Sequence, residues 1–360
     1  MSSAPSYDGA GLVNLMAELE LKLTGQSAFR GLAPDLAASI PEADTYVLVL
    51  FDGLGVAQLG DPLAQTLATS RSGTLEAPFP TTTSVSLATI ATGLPPSRHG
   101  QVAHLMWMPD LGKVVNSLKW VTPAGESVPY GYSSVLPSPN LWERLRDSGV
   151  EPVTVQPGDF SGSPLSRVLY RGARFEGAWD VEDLVKATVQ LASEPRRLIF
   201  TYVPHVDFAG HVFGLESGEF AEAMKVAVGV WERIASLLPP GVALIGTADH
   251  GLVEFADDQK QLIRDPRFDE LRFGGDTRGL HLWGDKELMS DLADMTGGSL
   301  VDGASLIGPD PTPEALSRLG ERVLLAPDDR ALIPKGFDKR LRCYHGGLST
   351  AEVEIPLLVG

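Results

Sequence analysis

A chain of 360 residues with 43% hydrophobic content and a formal net charge of −17 can bury a large core. Its acidic balance excludes a nucleic-acid polymer or an anionic membrane as partner, because no basic face can easily form. A small phosphate-bearing substrate stays open, since bound metal ions reverse the field inside a pocket.

Cys343 is the single cysteine, so no intrachain disulfide is possible and a cytoplasmic setting is expected. The N-terminus, MSSAPSYDGAGLVNLMAELELKLTG, lacks a basic start followed by an apolar run and predicts no signal peptide. The first strong strand signal, TYVLVLF (45–51), is far too short to span a bilayer. It leads into DGLG and a helical stretch. Next, FPTTTSVSLATIATG (79–93) places three threonines ahead of a helix-like apolar pattern that Gly93 closes. Threonine is a good helix N-cap, and capping alone would explain it.

Three further strands follow helix-length segments. EPVTVQ (151–156) comes after SPNLWERLRDSG, with Ser138 as the expected N-cap, and RRLIFTYV (196–203) comes after VEDLVKATVQLASE. GVALIGTAD (241–249) follows GEFAEAMKVAVGVWERIASLL, and the chain closes on AEVEIPLLVG. Continuous apolar runs alternating with helices predict an α/β fold with a mainly parallel, buried central sheet between helices. Residues 253–340 are charged and proline-punctuated, with LRFGGDTRGLHLWG shaped like an antiparallel strand pair. They are expected to form a small inserted lobe within one domain spanning 1–360.

In open α/β sheets, ligands collect just past the carboxyl ends of the strands. Asp52 directly follows YVLVLF, and Asp207 and His211 lie four apart in PHVDFAGHVFG, just after LIFTYV. Asp249 and His250 close VALIGTADHG, and His345 sits in CYHGGLS near the final strand. Singly, each has an ordinary explanation as a turn former or a solvated helix face. Together they require every strand end to carry an unrelated acid or histidine, in a chain with only seven histidines. Six mixed Asp and His ligands suit two Zn²⁺ ions better than Mg²⁺ or Ca²⁺, which favour all-oxygen shells, although other divalent metals are possible. Two metals roughly 4 Å apart clamp the attacking and leaving oxygens of an in-line phosphoryl displacement. A hydroxyl at a helix N-terminus would complete the rim as nucleophile.

Taken in order, LFDGLG, FPTTTSVSLATIATGLPPSRHG, DFAGHVFG, TADHG and YHGG resemble the alkaline phosphatase superfamily, above all its type I phosphodiesterase/nucleotide pyrophosphatase branch. The resemblance implies a mainly parallel sheet between helices. It makes Thr83, second threonine of a Pro-Thr-x-Thr motif, the nucleophile that carries a phospho-threonine intermediate. It implies one metal on Asp52, Thr83, Asp249 and His250, and the other on Asp207, His211 and His345. Nucleotide-cleaving members carry an aromatic, proline and asparagine after the nucleophile, where this chain has Ser84, Val85 and Ser86. His104 is the nearest match to their phosphate-binding asparagine, and Tyr202 matches an aromatic that stacks on the base.

Outside these motifs, Arg278 and His281 in GDTRGLHLW could reach a substrate from the inserted lobe. His99 is expected to fix a turn, His205 to support the ligands from behind, and Cys343 to pack. The expected function is a two-zinc phosphodiesterase acting on a small phosphate ester. Its alternatives are a phosphomonoesterase or phosphonate hydrolase on the same metal core, and a metal-bound module that binds without turnover.

Overall fold

A computed structural model describes residues 4–128 and 135–360. Its centre is the strand Thr45–Phe51, buried along its whole length. Residues apolar on both faces of the pleat must be covered on both sides, and each fully buried Val, Leu or Phe contributes roughly 1.5–3 kcal/mol. This strand pairs in parallel with Arg197–Val203 on one edge and Val242–Thr247 on the other. Glu151–Pro157 and Arg174–Ala178 extend the sheet in parallel beyond Arg197–Val203. On the opposite side Glu354–Val359 runs antiparallel to both Val242–Thr247 and Arg71–Glu76. The result is a seven-stranded sheet with one reversed strand.

Helices Leu12–Thr24, Thr83–Thr92 and Leu141–Asp147 pack together, as do Val181–Ala192, His205–Phe213 and Gly218–Leu237. The α/β architecture matches the expectation from sequence, and Thr45–Phe51 has the expected bounds. One cap differs. Asn140, not Ser138, caps Leu141–Asp147: its side chain accepts from the Glu143 amide while Glu143 returns to the Asn140 amide at 2.9 Å. Ser138 instead donates to the Glu143 carboxylate at 3.2 Å.

A second, six-stranded sheet stands beside the first, in the order Ser299–Val301, Arg322–Leu325, Gly279–Trp283, Arg272–Asp276, Leu105–Met108, Lys113–Asn116. The antiparallel pair read from LRFGGDTRGLHLWG is present as Arg272–Asp276 and Gly279–Trp283. The hairpin Leu105–Asn116 joins them, so residues 253–340 share their sheet with a segment far away in sequence. No helix among the described residues is long and apolar enough to cross a membrane.

Candidate active site

Three carboxylates meet where the central strands end. Asp52 follows Thr45–Phe51, its amide bonded to Val203 O at 3.0 Å, and the Asp207 amide in turn donates to Asp52 O at 3.0 Å. The Gly53 amide donates to Asp249 Oδ1 at 3.0 Å. Gly53 has φ +74°, and a Cβ there would lie 2.9 Å from Cα and Cβ of Asp207. Only glycine lets this strand end close against the helix His205–Phe213.

The threonines enter from the other side. The helix Thr83–Thr92 starts at Thr83, with Thr82 in the N-cap position and Gly93 at its end in the left-handed conformation. Thr82 makes no side-chain cap bond, and its hydroxyl instead donates to Asp276 Oδ1 at 3.3 Å. Thr81 is fixed as well: its hydroxyl donates to Gly347 O and accepts from the Gly346 amide, both at 3.0 Å. Of the three, Thr83 alone brings its hydroxyl to one of the strand-end histidines, 3.2 Å from His250 Nε2.

The three histidines share one arrangement. Each directs Nδ1 to a backbone carbonyl: His211 to Cys343 O at 2.7 Å, His250 to Gly251 O at 3.2 Å, and His345 to Thr81 O at 2.8 Å. Donation from Nδ1 leaves Nε2 as the inward acceptor, the tautomer a metal ligand requires. His211 Nε2 and His345 Nε2 face each other across 3.2 Å, and the rings of His250 and His345 stack 3.7 Å apart. Two lone pairs so placed repel unless a proton or a metal cation stands between them.

The carboxylates tell the same story. Asp52 Oδ1, Asp207 Oδ1 and Asp249 Oδ2 are buried without a hydrogen-bond partner. Asp207 Oδ1 lies 3.2 Å from His211 Nε2 and 4.0 Å from His345 Nε2. His250 Nε2 lies 3.3 Å from Asp249 Oδ2 and 3.7 Å from Asp52 Oδ1. Ligand-type atoms of Asp52, Asp249 and His250 lie within 4.8 Å of one another, as do those of Asp207, His250 and His345. Burial, and then the charges of Asp249 and Asp207, hold the Asp52 carboxyl well above the usual range. Burial opposes charge on His211, but Asp207 beside it outweighs this and raises its pKa to about 9. Burial, reinforced by His250 and His211, drives His345 well below the ordinary value. The donor set fits divalent cations, which would satisfy every orphaned oxygen and inward nitrogen at once.

Thr83, Asp207, His211 and His345 open onto a cleft of about 600 Å³, which His104 and Asp276 also line. Asn116 Oδ1 accepts from the amides of Leu118 and Lys119, so its Nδ2 donates to His104 Nε2 at 3.1 Å. The His104 proton therefore sits on Nδ1. Burial, with His211 and Lys119 nearby, lowers its pKa to about 4, so the ring is neutral.

The type I phosphodiesterase/nucleotide pyrophosphatase family model matches residues 46–285. The chain belongs to that family. Among curated proteins it is 29% identical over 191 residues to an uncharacterized pyrophosphatase/phosphodiesterase of Schizosaccharomyces pombe, a stretch covering 50% of this chain and 38% of that protein. Its fold resembles murine ectonucleotide pyrophosphatase/phosphodiesterase 5, with TM-score 0.65, 17% identity and 87% of each chain covered. It equally resembles phosphonoacetate hydrolase from Sinorhizobium meliloti in complex with phosphonoformate, with TM-score 0.65, 19% identity, and 89% and 91% covered. The murine protein has also been solved in an inactive threonine-to-alanine form with AMP.

Within this family member, several residues lie elsewhere than their sequence suggests. Tyr202, matched to a base-stacking aromatic, is 6% exposed, does not line the cleft, and donates its hydroxyl to Asp52 Oδ2. Arg278 does not reach a substrate: it is buried, forks onto Glu352 at 3.2–3.3 Å and donates to Pro327 O at 2.5 Å. Glu352 also accepts from the Gly347 amide at 2.9 Å, so this ion pair anchors the loop after His345. His281 is buried in the second sheet against Trp283, away from the cleft lining.

His99 does fix a turn, joining Thr89 Oγ1 at 3.0 Å and the Gln101 amide at 3.1 Å. His205 is half-buried beside a separate cavity with Trp179, and Cys343 is buried. Sequence reading missed Asp276 and Asn116. Asp276 in GGDTRG looks like an ordinary turn former, and only the second sheet brings it to the cleft.

Proposed function

We propose that this chain is a cytoplasmic two-zinc hydrolase of small phosphate esters that works through a phospho-threonine on Thr83. One observation carries the reading: three buried carboxylate oxygens without donors face three inward histidine nitrogens, and the Thr83 hydroxyl stands beside one of those nitrogens where the group opens onto the cleft. Asp52, Thr83, Asp249 and His250 would hold one cation, and Asp207, His211 and His345 the other. When bound, such cations neutralise the carboxylates and offset the charge that develops on the attacking and leaving oxygens.

The chain's own residues then supply position. Thr83 and Ser84 are the first two helical residues, whose amides have no intrahelical acceptor and favour a phosphoryl oxygen. His104 can donate from Nδ1 to another. Thr83 Oγ1 attacks phosphorus as the bond to the departing oxygen breaks, and water cleaves the phospho-threonine in a second step. Tyr202 orients Asp52 rather than contacting substrate.

Lys119 is the one Lys or Arg among the described residues that line the cleft, and it is exposed. A terminal phosphate dianion would thus lack a buried arginine, which favours diesters over monoesters. The equal fold likeness to a phosphonoacetate hydrolase supports phosphonate hydrolysis as the second reading. Rates on bis-p-nitrophenyl phosphate, p-nitrophenyl phosphate and a phosphonate monoester, with and without Zn²⁺, separate the two. Fastest zinc-dependent release from the diester is expected. Zinc-bound protein inert on all three would contradict the hydrolase reading.

A further inference from the structure

Asp276 ends the strand Arg272–Asp276 of the second sheet. It touches the immediate neighbours of two proposed site residues. Thr82, which precedes Thr83, donates to its Oδ1 at 3.3 Å. Gly346, which follows His345, is pressed so close that a Cβ there would lie 2.4 Å from Asp276 Cβ. The remaining oxygen accepts from the His104 amide at 3.4 Å. The side chain lines the same cleft as Thr83 and His104 while its residue is only 8% exposed.

This carboxyl is poorly matched by its surroundings. A carboxylate offers about four acceptor positions, and Asp276 meets two donors, both at long range. No Lys, Arg or His side chain pairs with it among the described residues. Burial accordingly lifts its pKa to about 7, against the pull of its bonds from His104 and Thr82. Lys119 on the same cleft is exposed, so water already solvates its charge. The unmet demand lies with the acid, because a buried charge without a partner is costly and an exposed one is not.

Holding Thr82 in place does not require an acid. A neutral amide or hydroxyl would accept the same two hydrogen bonds without the cost of burying a charge. Nor does Asp276 belong to either group of ligand-type atoms, which comprise Asp52, Asp207, Asp249, His250 and His345. An acid left open toward the cleft calls for a cationic donor brought in from outside.

We propose that Asp276 is a specificity-determining residue, selecting phosphate esters or phosphonates whose organic group carries a primary amine. The inference rests on the hydrolase reading only in placing the phosphoryl group at Thr83. The ammonium would supply the donor and the positive charge that Asp276 lacks, while the phosphoryl end faces the metal ligands. Substrates ending in a second anion are correspondingly disfavoured.

Binding tests this without turnover. Zinc-loaded protein is titrated calorimetrically with 2-aminoethylphosphonate and 3-aminopropylphosphonate, and with n-propylphosphonate and n-butylphosphonate, which replace the ammonium by a methyl group. At least one amine should bind about tenfold or more tightly than its methyl counterpart, as one charge-assisted hydrogen bond allows. In Asp276→Asn, and in Asp276→Ser as a second variant, that ratio should fall to within about threefold. Amines that bind no better than their methyl counterparts, no binding of any of the four, or a ratio that survives both substitutions overturns the inference. The hydrolase reading fails separately. An amine preference with no turnover of aryl esters contradicts that reading alone, and zinc-dependent turnover without amine preference contradicts Asp276 alone.

Discussion

The Thr83 hydroxyl lies 3.2 Å from Nε2 of His250, a residue 167 positions further along the chain. The contact joins the N-terminus of one helix to the end of a central strand. It is reinforced by Ser86, which donates to Asp249 O at 2.8 Å from the next turn of the same helix. A hydroxyl beside a buried imidazole at a helix start has both a polarising partner and amides to stabilise negative charge.

Metal content follows from the orphaned oxygens. Purified protein is expected to hold about two Zn²⁺ per chain, with His345→Ala or Asp207→Ala emptying one site and Asp249→Ala the other. Loss of one Asp or His ligand should lower affinity by orders of magnitude, whereas loss of the neutral Thr83 hydroxyl should cost little. Full activity after long incubation in strong chelator would refute the metal assignment.

Tyr202→Phe separates ligand support from base recognition. The hydroxyl donates to Asp52, so its removal should weaken zinc binding about 10- to 100-fold, as such supporting bonds do in other metal sites. KM should change equally for nucleotide and small aryl diesters at saturating zinc. A rise confined to nucleotide substrates would restore Tyr202 as a stacking platform.

The strand ends were legible because burial writes itself into sequence. TYVLVLF can only be a central strand, and the acids that follow such runs stand on one rim. The second sheet was far less legible. Its pairing of Leu105 with Gly275 spans nearly half of the chain, and no local pattern reveals it. For that reason Asp276 went unseen and Arg278 looked available for substrate. Tyr202 reads as one thing by motif and another by geometry, because the sequence does not show which way a strand residue at the rim points its hydroxyl.

Arg278→Ala should destabilise the fold rather than abolish binding directly. Arg278 and Glu352 form an ion pair at 3.2 Å with side chains 1% and 0% exposed, and removing one partner of a buried pair costs about 3–5 kcal/mol. Urea unfolding measures it. A variant of normal stability that has lost substrate affinity would instead return Arg278 to the substrate.

His281 gives the fold a dependence on pH. Both of its ring nitrogens are buried without partners, and burial lowers its pKa to about 4. Burial, with Arg318 nearby, similarly lowers His99 to about 3. Above pH 6.5 both folded and unfolded chains hold these rings neutral. As pH falls below 6.5 the unfolded chain takes up protons that the folded one refuses until about pH 4, so stability declines across that window. His281→Leu should raise stability at neutral pH on the order of 1 kcal/mol, by removing unpaired polar atoms, and flatten the acid decline. An unchanged acid profile would show that His281 is not a source of it.

Thr81, Thr82 and Thr83 are chemically alike, and the fold separates them. Thr81 binds the loop after His345, Thr82 binds Asp276, and only Thr83 reaches His250. Thr81→Ala and Thr82→Ala should weaken these contacts by about 1 kcal/mol each. Thr83→Ala should end turnover with folding and zinc content retained, and Thr83→Ser should keep a reduced rate. The most direct test is to quench a reaction in acid during turnover and locate the phosphorylated residue by mass spectrometry. Phosphate on Thr83 is the predicted result. Phosphate on Thr81 or Thr82, or a fully active Thr83→Ala protein, would contradict the account.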